Sequence, residues 1–263
     1  VIPELCRRKD FYVLFILTVL IAALAGSANF FNDPKIVGWL KELSLTLIWL
    51  SSLVIAINTA ARQIPAERES RTIFPLLAKP VTRADVSLEV GDVTESVTRA
   101  DVMAGKFLGC WLACGLALVV FYIFFGIVVS TKGGRLPGGD FALALWLHWM
   151  MLGMVIALSL LGSLLFTSVA ANVTICFIIV AGLLFVGFHL GKVARQQPEP
   201  VQSILLVLYN LVPQFGFFDA RQKLIHGSPL AVLPVVLASL YALAYTLVFL
   251  IGGWLAFRRK ALN

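Results

Sequence analysis

Apolar residues run almost unbroken over Phe11–Asn32, Leu43–Ala61, Phe107–Thr131, Phe141–Gly191 and Leu224–Phe257. None alternates with period two, and each is long enough for an α-helix to cross a hydrocarbon core of about 30 Å at roughly 20 residues per span. The run Phe141–Gly191 is long enough for two helices and must fold back once. The small and polar stretch Thr167-Ser168-Val169-Ala170-Ala171-Asn172 is the turn within it. The last run starts near Pro229 and continues past Pro234, because proline is tolerated close to a helix start. The pattern therefore predicts six spans. Pro200–Phe218 is also uncharged, but its continuous apolar part is only about a dozen residues, a length that suits a re-entrant or interfacial helix. Gln202, Asn210, Pro213 and Gln214 interrupt it.

The polar stretches between these runs set the topology. Six spans place Arg7-Arg8-Lys9 and Arg258-Arg259-Lys260 on one side of the membrane; with that side cytoplasmic, the inside segments hold 13 of the 21 Lys and Arg residues. The bias agrees with the positive-inside rule. The expected fold class is all-α: a polytopic membrane protein with six transmembrane helices, both termini cytoplasmic, and a single transmembrane domain over residues 1–263. Within it, residues 1–10 mix apolar and basic side chains as an interfacial helix does, although a frayed terminus with stop-transfer charges fits equally. Residues 62–105 form a large inside segment too polar for hydrocarbon, and residues 192–228 form an outer re-entrant segment. For that outer segment a simple amphipathic helix on the surface is the alternative.

Composition removes a soluble reading. The hydrophobic share is 60% and the charged share 13%, against about 45–50% and about 25% in ordinary soluble domains. A net charge of +7 would suggest nucleic acid in a soluble chain; here Lys and Arg flank the spans, where they meet anionic lipid instead. No nucleic-acid partner is expected, and the location is the inner cell membrane, multi-pass. The chain opens on Val1 rather than Met, which implies a few residues upstream. Phe11–Phe31 is too long for a signal-peptide core and is expected to be a retained first span. Cys6, Cys110, Cys114 and Cys176 have neither a disulfide framework nor a zinc spacing, and the Cys110–Cys114 pair is expected to pack.

The inside segment carries the most distinctive pattern. Charges alternate from Glu67 through Arg68 and Glu69 to Arg71, an apolar patch with Phe74 and Leu77 follows, and Pro65, Pro75 and Pro80 bracket the whole. Proline stops helices from running on, so a short, bounded helix across the membrane face is expected; a solvated charge run in an ordinary loop is the plainer reading. Glu67-x-Glu69, Arg71-Thr72 and Leu76-Leu77-Ala78-Lys79-Pro80-Val81-Thr82-Arg83, with Gly105-Lys106-Phe107-Leu108-Gly109 opening the next span, resemble the cytoplasmic loop of type-2 ABC transporter permeases. The overall plan is similar to that family over essentially the whole chain. The resemblance implies a permease subunit that pairs with a second permease chain and with cytosolic ABC ATPase subunits, exporting an apolar or amphipathic substrate. It further implies that Glu67, Arg68, Glu69, Arg71, Phe74 and Leu77 couple to the ATPase, with Glu4, Arg7 and Arg8 on the interfacial helix. It places Tyr209, Asn210, Pro213 and Phe217 in re-entrant helices capping the exit of the path.

One departure from that family is a tandem repeat: Val81-Thr82-Arg83-Ala84-Asp85-Val86 recurs as Val97-Thr98-Arg99-Ala100-Asp101-Val102. Residues 87–102 thus read as an insertion, either a small hairpin making a subunit-specific contact or an extended loop. The chain lacks G-x-x-x-x-G-K-[ST], so ATP and Mg are expected in the partner ATPase and no cofactor or catalytic site in this chain. Gly133–Gly139 reads as a connecting turn. His148, His189 and His226 stand outside any catalytic motif and are expected to be hydrogen-bonded. Gly105-x-x-x-Gly109 and Gly187-x-x-x-Gly191 offer small faces for close helix packing. Nearly charge-free spans without paired carboxylates weaken a secondary-transport reading. The alternative function is a non-transporting scaffold or mechanotransmitter acting on an outer or periplasmic partner.

Overall fold

A computed structural model of the chain describes residue 16 and residues 35–65, 99–131, 138–166 and 168–259. These are helical: α1 Lys35–Ala61, α2 Arg99–Thr131, α3 Gly138–Leu165, α4 Val169–Ala194, α5 Val201–Leu211, a 3-10 turn Phe215–Phe218, α6 Arg221–His226 and α7 Val232–Arg259. Five of them, α1 to α4 and α7, are long and apolar enough to cross a membrane. They correspond to five of the six expected spans; the first, Phe11–Asn32, lies outside the described residues apart from helical Ile16.

α3 is the hub. From Met150 to Leu164 every residue except Leu158 and Leu161 is buried, which explains why its sequence is apolar all round rather than on one stripe. It packs against α1 and α2 on one side and α7 on another, with α4 leaning on α3 and α1. Trp146 Nε1 donates to Ser239 Oγ at 2.9 Å, and the Leu230 amide donates to Asp140 Oδ1 at 2.8 Å, tying the start of α7 to α3. Between α1, α2 and α3 a buried polar chain runs through His148. Ser52 Oγ donates to the Trp49 carbonyl at 2.9 Å and lies 2.7 Å from His148 Nε2, while the Tyr122 hydroxyl is 3.3 Å from Nδ1. The neutral Nε2–H tautomer satisfies all three groups at once, which a buried network requires. The histidine is thus hydrogen-bonded as expected, but in the core.

Helix ends differ from the sequence boundaries in ways that local chemistry explains. α2 begins at Arg99, so the last four of residues 87–102 are its first turn, where Asp101 meets the positive end of the helix dipole. α3 ends at Leu165, and Val169 is already helical, with Ser168 in the extended N-cap conformation. Asn172 is consequently not a turn residue: it is fully buried in α4 and donates Nδ2 to the Ala61 carbonyl at 2.7 Å. Lys192–Ala194, assigned to the outer segment by composition, form the last turn of α4.

Candidate functional site

The segment after α4 does not simply lie across an end of the bundle. α5 has 11 residues, about 16 Å at 1.5 Å per residue and roughly half a span, and it ends at Leu211 just before Pro213, where proline disfavours continuation. Its end is held by α7. Tyr245 OH donates to the Leu211 carbonyl at 3.1 Å, Tyr241 OH to the Val212 carbonyl at 3.4 Å, and the Gln214 amide donates to Tyr241 OH at 2.9 Å. Tyr245 stands near the middle of the 28-residue α7. The chain then returns through the 3-10 turn and α6, which Gly227 closes in the left-handed conformation at φ 65°, to Leu230 at the start of α3. The segment is therefore a hairpin whose tip reaches the middle of the bundle.

Two glycines of α4 receive this tip. A Cβ at Gly187 would fall 2.8 Å from Gln214 Oε1 and one at Gly191 would fall 2.9 Å from Tyr209 Cε2, so the small face Gly187-x-x-x-Gly191 serves packing within the chain. Beside it lies a cavity of about 660 Å3. Its aromatic walls are Trp49 of α1, Phe185 of α4, Tyr209 of α5, and Phe215 and Phe217 of the 3-10 turn, and Leu183, Leu184 and His189 of α4 line it as well.

Its polar feature is Arg221. The guanidinium forks onto Asp219, with Nε 2.8 Å from Oδ1 and Nη2 2.7 Å from Oδ2, donates from Nη1 to Thr46 Oγ1 at 3.3 Å, and lies 4.8 Å over the Trp49 ring. Burial pushes the Asp219 carboxyl up, but the hydrogen bonds and charge of Arg221 outweigh it and hold the group below the ordinary carboxylate value. Arg221 is raised in turn, first by its hydrogen bond to Asp219. A bidentate pair is the form in which charge is best tolerated away from water. The Trp49 indole N–H is buried without a hydrogen-bond partner.

Of the residues expected in the outer segment, Tyr209 and Phe217 line the cavity, half-buried Pro213 stands between α5 and the 3-10 turn, and Asn210 is in the last turn of α5. Glu67, Arg68, Glu69, Arg71, Phe74 and Leu77, and Glu4, Arg7 and Arg8, lie outside the described residues, as do residues 87–98 of the insertion. Sequence reasoning missed Trp49, Asp219 and Arg221. The available signal was the charged pair Asp219-x-Arg221 directly after the uncharged run Pro200–Phe218.

Residues 94–262 match a family model described as ABC-2 family transporter protein, a stretch that takes in α2 through α7 and excludes α1 and Glu67–Leu77. No curated protein matches the chain.

Proposed function

The chain belongs to the ABC-2 family of transporter proteins, and we propose that it is the permease subunit of an ATP-driven exporter, pairing with a second permease chain and with cytosolic ATPase subunits. The partner supplies the ATP and Mg site and the hydrolysis; this chain supplies the path for an apolar or amphipathic substrate through the cell membrane. Both termini and residues 62–105 face the cytoplasm in this reading, with residues 1–10 along the membrane surface and six spans in all.

One arrangement carries the reading. Ile64 just beyond α1, Met103 in α2 and Leu164 at the end of α3 pack together with Leu250 of α7, so the end of α1 and the start of α2, which flank residues 66–98 in the sequence, lie at one end of the bundle, where four spans meet. Gly253 admits the Met103 methyl at the same junction. A load applied to Glu67, Arg68, Glu69 and Arg71, with Phe74 and Leu77 as the apolar patch, would act on two spans directly and on two more through that cluster. ATP-bound and ATP-free partners can bias the permease only through contacts that differ between the two states, and this stretch, with Glu4, Arg7 and Arg8, offers them.

At the opposite end the hairpin from α5 to α6 supports a re-entrant cap. Backbone that dips into a bilayer must be satisfied by protein or water, and the Tyr241 and Tyr245 hydroxyls serve its tip. The test is affinity purification of the tagged chain in mild detergent, with mass spectrometry and an ATPase assay of the product. A co-purifying protein with a phosphate loop is expected, with substrate-linked activity reduced by Glu69→Ala and Arg71→Ala while the chain stays folded. Recovery without an ATPase, or activity indifferent to both changes, would overturn the proposal.

A further inference from the structure

The polar groups around the 660 Å3 cavity are not balanced. A guanidinium has five N–H donors; those of Arg221 bond twice to Asp219 and once to Thr46, leaving one on each terminal nitrogen unspent. Asp219, by contrast, is nearly saturated, because Oδ1 accepts from both the Arg221 amide and Nε, and Oδ2 accepts from Nη2. Trp49, whose ring lies under the guanidinium, adds a buried indole N–H with no partner. Gln214 spends one side-chain N–H on the Tyr209 carbonyl and turns its Oε1 toward Gly187 of α4. The unspent groups of the fork and of Trp49 are therefore all donors. The rest of its lining is hydrocarbon and aromatic ring together with His189, whose Nδ1 lies 3.3 Å from the Phe185 carbonyl, and at the margin Phe185 and Phe217 are 72% and 55% exposed. The volume falls in the range of about 300–1,000 Å3 that holds small molecules.

We propose that this cavity binds the acidic head group, carboxylate or phosphate, of a single-chain amphiphile, whose hydrocarbon chain leaves past Phe185 and Phe217. The head takes the two unspent guanidinium donors, and a small shift of the Trp49 ring brings its N–H to the same oxygens. A cationic head would meet the donor edge and be repelled. A free inorganic anion would leave the aromatic walls unfilled and forgo most of the apolar burial that favours binding. The inference rests on the permease reading for its meaning, since it names the substrate class of that path, but the binding itself does not require the ATPase.

The experiment uses the full chain in phosphatidylcholine nanodiscs, with radiolabelled dodecyl phosphate as the probe and empty discs as the blank. Saturable binding above the blank is expected, displaced by unlabelled dodecyl phosphate and by laurate. Dodecyltrimethylammonium and inorganic phosphate should not displace it. Trp49→Phe keeps the ring and removes only the N–H, and should weaken binding several-fold. The paired change Arg221→Gln with Asp219→Asn removes the charges without stranding either, and should weaken it at least tenfold; size-exclusion chromatography and melting verify folding. Binding no greater than the blank, equal displacement by the cationic amphiphile, displacement by inorganic phosphate, or unchanged affinity in both variants would overturn the assignment. Because the readout needs no partner, a failure to capture an ATPase leaves this result standing, and a failure here leaves the partner test untouched.

Discussion

Asn172 in α4 donates its side-chain amide to the carbonyl of Ala61, 2.7 Å away at the end of α1. In a continuous helix that carbonyl would accept from the amide four residues on, and the residue there is Pro65, which has no N–H. Asn172 thus supplies the donor that the sequence of α1 withholds. Its own oxygen accepts from Cys176 Sγ at 3.3 Å, and it fits because Gly162 is bare: a Cβ there would fall 2.5 Å from Asn172 Oδ1. Asn172→Ala should strand the carbonyl and cost about 1–2 kcal/mol, the penalty of leaving a buried acceptor unsatisfied. Pro65→Ala restores an amide, so the double variant should recover much of that loss. Unfolding in mixed micelles checks this; strictly additive costs would show that the proline and the asparagine are not coupled.

Trp111 and Trp149 form a reciprocal pair across α2 and α3. Each indole N–H donates to the other's backbone carbonyl, at 3.1 and 3.0 Å, and the rings stack with centroids 4.4 Å apart. Each ring also lies over a glycine four residues beyond its partner, Trp149 over Gly115 and Trp111 over Gly153. The fits are unequal: an added Cβ would approach Trp149 Nε1 to 2.5 Å at Gly115, but Trp111 Nε1 only to 3.1 Å at Gly153. Gly115→Ala should therefore be the more damaging, by about 1–3 kcal/mol of overpacking, and Gly153→Ala should fall well below it. Melting temperatures of the two variants in detergent decide the order, and equal losses would refute this account.

The five described spans were legible because a long apolar run, with proline absent or confined to the helix start as at Pro234, has no other way to satisfy its backbone in lipid. The break between Leu165 and Val169 was legible because the run Phe141–Gly191 is too long for one span. Asn172 was not, since a polar residue beside a break reads as part of the turn, and only the missing N–H of Pro65 on another helix shows why it is buried. Trp111-x-x-x-Gly115 and Trp149-x-x-x-Gly153 stand openly in the sequence, yet which glycine accepts which ring depends on how α2 and α3 pair. The half-length α5 was anticipated from its length and its interruptions. That its return strand carries Arg221 to Trp49 was not, because charges beyond the apolar runs read as loop. The residues Glu67–Leu77 rest on resemblance and on their place between α1 and α2.

The Asp219–Arg221 pair gives the cavity a defined response to acid. A carboxyl whose folded pKa lies below its unfolded value of about 3.9 stabilises the folded state at pH above that value, and the contribution is lost as pH falls through the folded pKa. Asp219 is such a group, because the guanidinium bonds and charge outweigh its burial. The difference in melting temperature between the wild type and Asp219→Asn isolates this one titration from the other carboxylates, which both proteins share. It should stay constant from pH 7 to about pH 4.5 and shrink only below about pH 4. Arg221→Lys should reduce the difference at every pH, since an ammonium cannot reproduce the two parallel N–H bonds of the fork. A difference that already narrows between pH 7 and 5 would mean that desolvation prevails at Asp219, and that the guanidinium is less fully neutralised than the fork implies.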